Sequence, residues 1–421
     1  GSMLDDNRPM DFAKDKNSAT LWAKKRKQVW LNNLSKAEST SINNYIKNSS
    51  EINSYSIKKK FALDNYEGIE TLNEDLKNIS TAVKKSMLTK PLYVYYYEAN
   101  DKFGFNQNLE SSLDSNIIDE EAINNFAKKI SDTNFIQDGF KDVTMTEPDI
   151  NSKLPILVHL KLPTNTPAAS YGNDEENLRV LIDQGYSLKA TGLSIVTIKG
   201  KQYAKVDADL IKQLNFENDV ISASQWGEEN YAPWLKELTS NELRDINNYL
   251  GGGYTAINKY LLDGTIGENT SKEDLEEKIS NISSALKKRK IPEDIITYRR
   301  MGPNEFGLDL NSPDYDFNKV ENVSKFKEKW LGKTIPVKTF ISTTVLSNNI
   351  SAFAKRKLIL RLHLPNGSNA AYVSVAEGYK NEYEVLIDHG YSYKIDNITE
   401  YYDESSLGGK TNKLIIDATL I

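Results

Sequence analysis

The sequence predicts an α+β protein made of two copies of one fold. Three observations carry the prediction. Helical patterning precedes strand patterning in each half, regular βαβ alternation is missing, and the halves repeat one another in order.

The repeat rests on six anchors. Trp22 and Trp30 recur as Trp226 and Trp234, and Ile42-Asn43-Asn44-Tyr45 recurs as Ile246-Asn247-Asn248-Tyr249, all offset by 204. Leu162-Pro163 returns as Leu364-Pro365, and VDADLI at 206–211 returns as IDATLI at 416–421. Residues 180–189 (VLIDQGYSLK) and 385–394 (VLIDHGYSYK) agree at eight of ten positions. The order is kept with offsets between 202 and 210, so the chain reads as domains 1–215 and 216–421, joined near 212–224. A length of 421 residues also exceeds what one ordinary core serves.

In the first copy helices are expected over 11–34 and 37–46, then strands over 92–98 (LYVYYYE) and 154–162 (LPILVHLKL). In the second, helices are expected over 232–250 and 271–288 and strands over 295–301 (IITYRRM), 338–344 (KTFISTT) and 357–364 (KLILRLHL). Ser271 followed by Glu273 and Asp274 reads as an N-cap with an acidic first turn. The strands are rich in β-branched and aromatic residues, with Gly, Pro, Asn and Asp at the breaks. Neither a Rossmann G-x-G-x-x-G after a strand nor a P-loop is present.

Composition narrows the function classes. Hydrophobic residues at 39% and charged residues at 27% describe a soluble globular chain, and no apolar run is long enough for a transmembrane helix. A net charge of −6 argues against nucleic acid as the main partner. With no cysteine, thiolate chemistry and Cys-based zinc sites are excluded, and three unpaired histidines (His159, His363, His389) argue against a metal. Gly1-Ser2-Met3 reads as the remnant of a cleaved tag, so location must be argued indirectly.

A duplicated domain supplies its own control: features in both copies belong to the fold, and polar features in one copy are candidates for function. Four features distinguish the second copy. Tyr298-Arg299-Arg300 stands where the first has Tyr95-Tyr96-Tyr97. Ser342-Thr343-Thr344 follows Phe340-Ile341, whereas Gln137-Asp138 follows Phe135-Ile136. Tyr254 aligns with Ser50, and Glu382-x-Glu384 stands before Val385 where the first copy has Asn177-Leu178-Arg179.

An aromatic residue then Arg on one strand, Ser-Thr-Thr on a second and Glu-x-Glu leading into a third resembles the arginine-specific mono-ADP-ribosyltransferases. The duplication, YRRMGPNEFGLDL and the ending KLIIDATLI are similar to the enzymatic component of clostridial iota-like binary toxins, over essentially the whole chain. The resemblance implies, in each copy, N-terminal helices followed by a two-sheet β core, with NAD as substrate and no metal. It implies that Glu384 faces the ribosyl cation formed as the nicotinamide bond breaks. On strand alternation, Glu382 is expected on the same side, orienting and deprotonating the acceptor guanidinium. Arg299 would hold the pyrophosphate through its planar fork, and Ser342 would hold Glu384 by a hydrogen bond.

Similarity further assigns Arg300, Tyr249, Tyr254, Asn258, Asn304, Glu305, Thr339, Phe353 and Arg356 to NAD binding, and Tyr379 to the protein substrate. Tyr249 also has a counterpart in Tyr45, which a core role would explain. Two positions depart from the family pattern: Thr344 replaces the last Ser of Ser-Thr-Ser, and Thr339 stands where an Asn is expected. The family's biology implies a secreted chain whose silent first copy docks on a pore-forming component. The second copy would then modify an arginine of actin in the host cytosol and block polymerisation. The alternatives are an NAD glycohydrolase, with water as acceptor, and a non-enzymatic double binding module.

Overall fold

The computed structural model describes residues 8–59, 66–171, 178–347, 353–376 and 378–421. The chain divides into two compact units, Gly1–Lys212 and Gln213–Ile421. Residues 213–215, placed with the first copy by the repeat, belong to the second. Leu214 N donates to Asp294 O at 2.9 Å, Ile296 N donates to Leu214 O at 2.8 Å, and the Tyr298 hydroxyl donates to Asn215 Oδ1 at 2.7 Å.

The first unit opens with helices α1 (Lys16–Asn33), α2 (Lys36–Lys58) and α3 (Ile69–Lys84). Strand β1 (Leu92–Glu98) and helix α4 (Glu120–Ile130) follow, then β2 (Asn134–Ile136), β3 (Lys141–Thr144), β4 (Ile156–Leu162), β5 (Ala168–Ser170), β6 (Arg179–Ile182), β7 (Ser187–Ile198) and β8 (Lys201–Ile211). The second unit repeats the plan with α5 (Val220–Glu237), α6 (Ser240–Asn248), α7 (Tyr254–Asp263) and α8 (Lys272–Lys288). It continues with β9 (Ile295–Met301), α9 (Val320–Trp330), β10 (Thr334–Pro336), β11 (Ile341–Thr344), β12 (Leu358–Leu364), β13 (Ala370–Tyr372), β14 (Glu384–Ile387), β15 (Ser392–Asp403) and β16 (Thr411–Leu420).

Residues 232–250, expected as one helix, are split. Thr239 caps α6 in a capping box with Glu242: its hydroxyl accepts from Glu242 N at 3.1 Å, and Glu242 Oε1 accepts from Thr239 N at 2.8 Å. Ser35 and Glu38 make the same box at α2. The predicted cap of α8 is present, with Ser271 Oγ accepting from Asp274 N at 3.1 Å. Both repeated tryptophans at the later position are core: Trp30 Nε1 donates to Ala82 O and Trp234 Nε1 to Ala285 O, at 2.7 and 2.8 Å.

Strand order is β2-β7-β8-β4-β1-β3-β6-β5 in the first unit and β10-β15-β16-β12-β9-β11-β14-β13 in the second, which is one topology twice. β12 and β16 run parallel, as do β4 and β8, while the other pairs are antiparallel. Each unit is thus one eight-stranded sheet, in place of the expected two-sheet core, with five strands joined to three through a short central pairing. Among the described residues β9 meets β11 at one register pair, Tyr298 with Thr344, and β1 meets β3 at Tyr95 with Thr144. In the second unit α5 and α8 lie on the three-stranded part and α9 on β15. One face of β9, β12 and β16 buries Met301, Leu358, Leu360, Leu362, Leu414 and Ile416 in the same core as Val385 and Ile387.

Candidate active site

Where β9 and β11 part, backbone pairing is reduced to the one register pair and the candidate side chains gather. Arg299 follows Tyr298 on β9, Ser342 lies two residues before Thr344 on β11, and Glu384 stands opposite Thr344 at the start of β14. The Glu384 backbone is held firmly: its N–H donates to the Ser374 hydroxyl at 2.8 Å, and Ser374 is buried. Next to it, Thr343 Oγ1 donates to Val385 O at 2.8 Å. The Thr344 hydroxyl accepts from Leu346 N at 3.1 Å, so the residue that departs from the family pattern caps the turn after β11.

Arg299 Nη1 donates to Ser342 O at 3.1 Å, and its Nη2 lies 3.6 Å from Glu305 Oε1. Glu305 is itself fixed by Gly302 N, which donates to Oε2 at 2.8 Å. The Ser342 hydroxyl stands near the Glu384 carboxyl and favours its ionised form. Burial pushes Glu384 up to about 7, and the charge and hydrogen bond of Glu382 push the same way, against the Ser342 hydroxyl and the Arg299 guanidinium.

Glu382 reaches Glu384 by a different route from the pleat. β14 begins at Glu384, so Glu382 lies in the preceding loop and is exposed. Tyr383 between them has a left-handed backbone, φ 51°, which costs a non-glycine residue about 1–2 kcal/mol. Its side chain packs on the core and its carbonyl accepts from Val345 N at 3.0 Å. Glu382 N donates to Tyr379 O at 3.1 Å. The turn through Tyr383, rather than strand alternation, brings the two carboxyls together.

Tyr249 borders this group. Burial raises its hydroxyl pKa, with the Asn258 hydrogen bond opposing, and the charges of Glu384 and Arg299 act on it. Asn258 stands behind it: Nδ2 donates to the Tyr249 hydroxyl at 2.9 Å, and Oδ1 accepts from Phe340 N at 3.3 Å. The first unit holds the same bracket, with Asn53 Nδ2 to the Tyr45 hydroxyl and Phe140 N to Asn53 Oδ1, both at 3.0 Å. By the copy comparison this bracket is fold. The offset changes from 204 at Tyr249 to 205 at Asn258, and the extra residue is absorbed in a π-helical turn, Tyr249–Gly253, where Gly252 has φ 125°. Such one-residue bulges are frequent at functional sites.

The remaining residues lie around this centre. Tyr254 is exposed with its ring 6.0 Å from that of Tyr249. Asn304 is exposed in the turn after β9, and Thr339 is half-buried just before Phe340. Arg356 stacks over the Phe353 ring at 4.0 Å and donates from Nη1 to Arg300 O at 3.0 Å. Tyr379 is half-buried, with its hydroxyl beside Gly251. Arg300 does not join Arg299. Adjacent strand residues face opposite sides, and its guanidinium lies on the far face of the sheet, where its charge acts on the buried Tyr401 hydroxyl.

The same positions in the first unit are differently occupied. Register places Tyr96 at Arg299, Arg179 at Glu384 and Asp142 at Ser342. The alignment of Gln137 with Ser342 therefore needs correcting. Phe135-Ile136 lies in β2, the counterpart of β10, and the true match of Phe340 is Phe140. Arg179 pairs with Asp142 through both Nε and Nη2 and donates to the Tyr171 hydroxyl at 2.8 Å, filling these positions with an ion pair. Asn177, aligned with Glu382, lies outside the described residues.

A carboxylate of raised pKa with a hydroxyl and an arginine fork beside it, where β9 and β11 part, suits cleavage of a glycosidic bond in a phosphorylated substrate. Fold and site define the class of the mono-ADP-ribosyltransferases. The model of the ADP-ribosyltransferase exoenzyme family matches residues 19–213 and again 223–421. The enzymatic component C2-I of the C2-toxin from Clostridium botulinum superposes with a TM-score of 0.80 at 27% identity, covering 98% of this chain and 100% of that one. The mono-ADP-ribosyltransferase C3 of Hathewaya limosa is 26% identical over 194 residues, 45% of this chain and 74% of that protein. The NAD(+)--arginine ADP-ribosyltransferase EFV of Enterococcus faecalis is 24% identical over 176 residues, 42% of this chain and 32% of that protein. The chain belongs to the ADP-ribosyltransferase exoenzyme family, and NAD is its substrate. Among the described residues no group of three or more acidic or histidine side chains is placed to hold a metal, and no helix is long and apolar enough to cross a membrane.

Proposed function

We propose that residues 213–421 transfer ADP-ribose from NAD to an arginine of actin, and that the first unit is catalytically silent. The observation that carries this reading is the group Arg299, Ser342, Glu382 and Glu384, replaced in the first unit by Tyr96, Asp142, an undescribed Asn177 and Arg179. In the proposed reaction the bond between ribose and nicotinamide breaks, and its electron pair leaves with neutral nicotinamide. Glu384 faces the resulting ribosyl cation. An acceptor nitrogen then attacks, and its proton passes to Glu382. A guanidinium needs that proton removed before it is nucleophilic, which is why a second carboxylate favours arginine over water as acceptor.

Arg299 would take the pyrophosphate, with Tyr249, Tyr254, Asn304, Glu305, Thr339, Phe353 and Arg356 around the dinucleotide. In this reading Asn258 and Arg300 support NAD from behind the site, and Tyr379 meets the protein acceptor. The similarity to a toxin's enzymatic component over the full chain supports a secreted protein whose first unit docks on a pore-forming partner and which acts in a host cytosol. Incubation with NAD and purified actin, followed by nicotinamide release and mass spectrometry, tests the reaction. ADP-ribose on an actin arginine is expected. Nicotinamide release without protein labelling would make water the acceptor and overturn the transferase reading for actin.

A further inference from the structure

Lys413 on β16 is fully buried, and a buried ammonium is costly unless it is closely paired. Its Nζ donates to Asp403 Oδ2 at 2.7 Å and to the carbonyl of Ala354 at 2.5 Å. Ala354 lies in the turn that carries Phe353 and Arg356, and that turn is tied a second time by Arg356 to the Arg300 carbonyl. The sheet register identifies the matching positions in the first unit. Lys413, opposite Tyr401, corresponds to Tyr203, opposite Val196, and Asp403 and Arg300 correspond to Ile198 and Tyr97. In the first unit these residues form a small apolar cluster, with the Tyr97 and Tyr203 rings 5.0 Å apart. There the Tyr203 hydroxyl accepts from Ser152 N at 2.9 Å, so the segment before β4 is pinned without a charge. The second unit replaces that cluster with Arg300, Tyr401, Asp403 and Lys413.

We infer that Lys413 is a positioning residue for NAD binding: with Asp403 it pins the Ala354 carbonyl and so sets Phe353 and Arg356 in place. This rests on the reading that Phe353 and Arg356 hold NAD. An apolar side chain at 413 would fill the space but release the turn.

The test uses the full chain with Lys413→Met, and Lys413→Arg as the conservative variant. The KM for NAD in nicotinamide release should rise about tenfold, the scale on which outer-shell supports act, with kcat little changed and part of the loss restored in Lys413→Arg. Trypsin should cut the folded Lys413→Met protein faster after Lys355, Arg356 and Lys357 but not elsewhere. An unchanged KM with unchanged cleavage there overturns the proposal. So does a fall in kcat with cleavage spread along the chain and a lowered melting temperature, which is the signature of a merely structural lysine. Phe353→Ala, measured alongside, separates the two ideas: an unchanged KM in that variant removes the NAD role of the turn, while the cleavage pattern still decides whether Lys413 holds it.

Discussion

Glu384 and Arg179 occupy the same register position in two copies of one sheet, Glu384 opposite Thr344 and Arg179 opposite Thr144. A carboxylate that would face a ribosyl cation is thus exchanged for a guanidinium that would repel one. The exchange is accommodated locally, since Ser342 becomes Asp142 and the new acid pairs with the new base. Tyr96, in the place of Arg299, is buried beneath Lys141, whose ammonium lies 4.2 Å from the ring centroid and pairs with Glu98. In the first unit the matching positions are therefore taken up by ion pairs, Arg179 with Asp142 and Lys141 with Glu98.

That pairing predicts an asymmetric response to Arg179→Ala. The pair is half-exposed, so its loss should cost about 1 kcal/mol of stability. NAD turnover by the full chain should not change. Thermal unfolding and nicotinamide release on the same preparation check it, and a drop in turnover without unfolding would assign the first unit a catalytic part.

Arg299→Lys should weaken NAD binding by about tenfold or more, although the charge is kept. A single ammonium cannot at once donate to Ser342 O, stay near Glu305 and present a planar fork to phosphate oxygens. Titration of NAD into the variant measures it. An unchanged dissociation constant would place Arg299 away from the phosphates.

Much of this was legible from the residues, for stated reasons. A repeat with fixed order reveals duplication at any level of local noise, and the phrase after Glu384 is nearly identical in both copies, so Arg179 aligned correctly. Ser342 aligned wrongly because Phe135, inside one short strand, and Phe140, just before the next, look alike in sequence, and only hydrogen-bond register separates β2 from β3. The bracket of Asn258 was hidden by the single inserted residue that the π-helical turn absorbs. Tyr383 gave no sign of its left-handed backbone, since that conformation usually announces itself as glycine. Lys413 follows polar Thr411 and Asn412 at the start of β16 and reads as a solvated strand entry, whereas its burial depends on Asp403 and Ala354, which the local pattern does not reveal.

The raised pKa of Glu384 predicts two pH effects. Stabilising the ribosyl cation needs the ionised form, so kcat/KM for NAD cleavage to water should rise with pH through about 7. Glu382→Gln removes a like charge and a hydrogen bond, and should move that midpoint down. Stability runs the other way. A carboxyl whose pKa rises from 4.5 in the unfolded chain to about 7 in the fold favours folding fully below 4.5, and the contribution is lost as pH rises through 7. Glu384→Gln should therefore melt higher than the parent at pH 8 and no higher at pH 4. A midpoint near the ordinary carboxylate value, or equal melting at pH 8, would contradict the burial cause.

The two carboxyls, joined by the turn through Tyr383, should fail in different ways. Glu384→Gln keeps the shape and loses the charge that faces the ribosyl cation. It should depress nicotinamide release and protein labelling together by about 10²-fold or more, the scale of one lost transition-state contact. Glu382→Gln should leave cleavage to water largely intact and abolish labelling, because only the guanidinium acceptor needs its proton taken. The exposure of Glu382 allows this separation, since amide replacement there leaves no buried group unsatisfied, whereas Glu384 sits against Ser342 and Arg299. Two carboxylates with only a folding role would instead give parallel losses and lower melting temperatures. The measurement is nicotinamide release and actin labelling side by side on both folded variants. Equal loss of the two activities in Glu382→Gln would refute the division of labour.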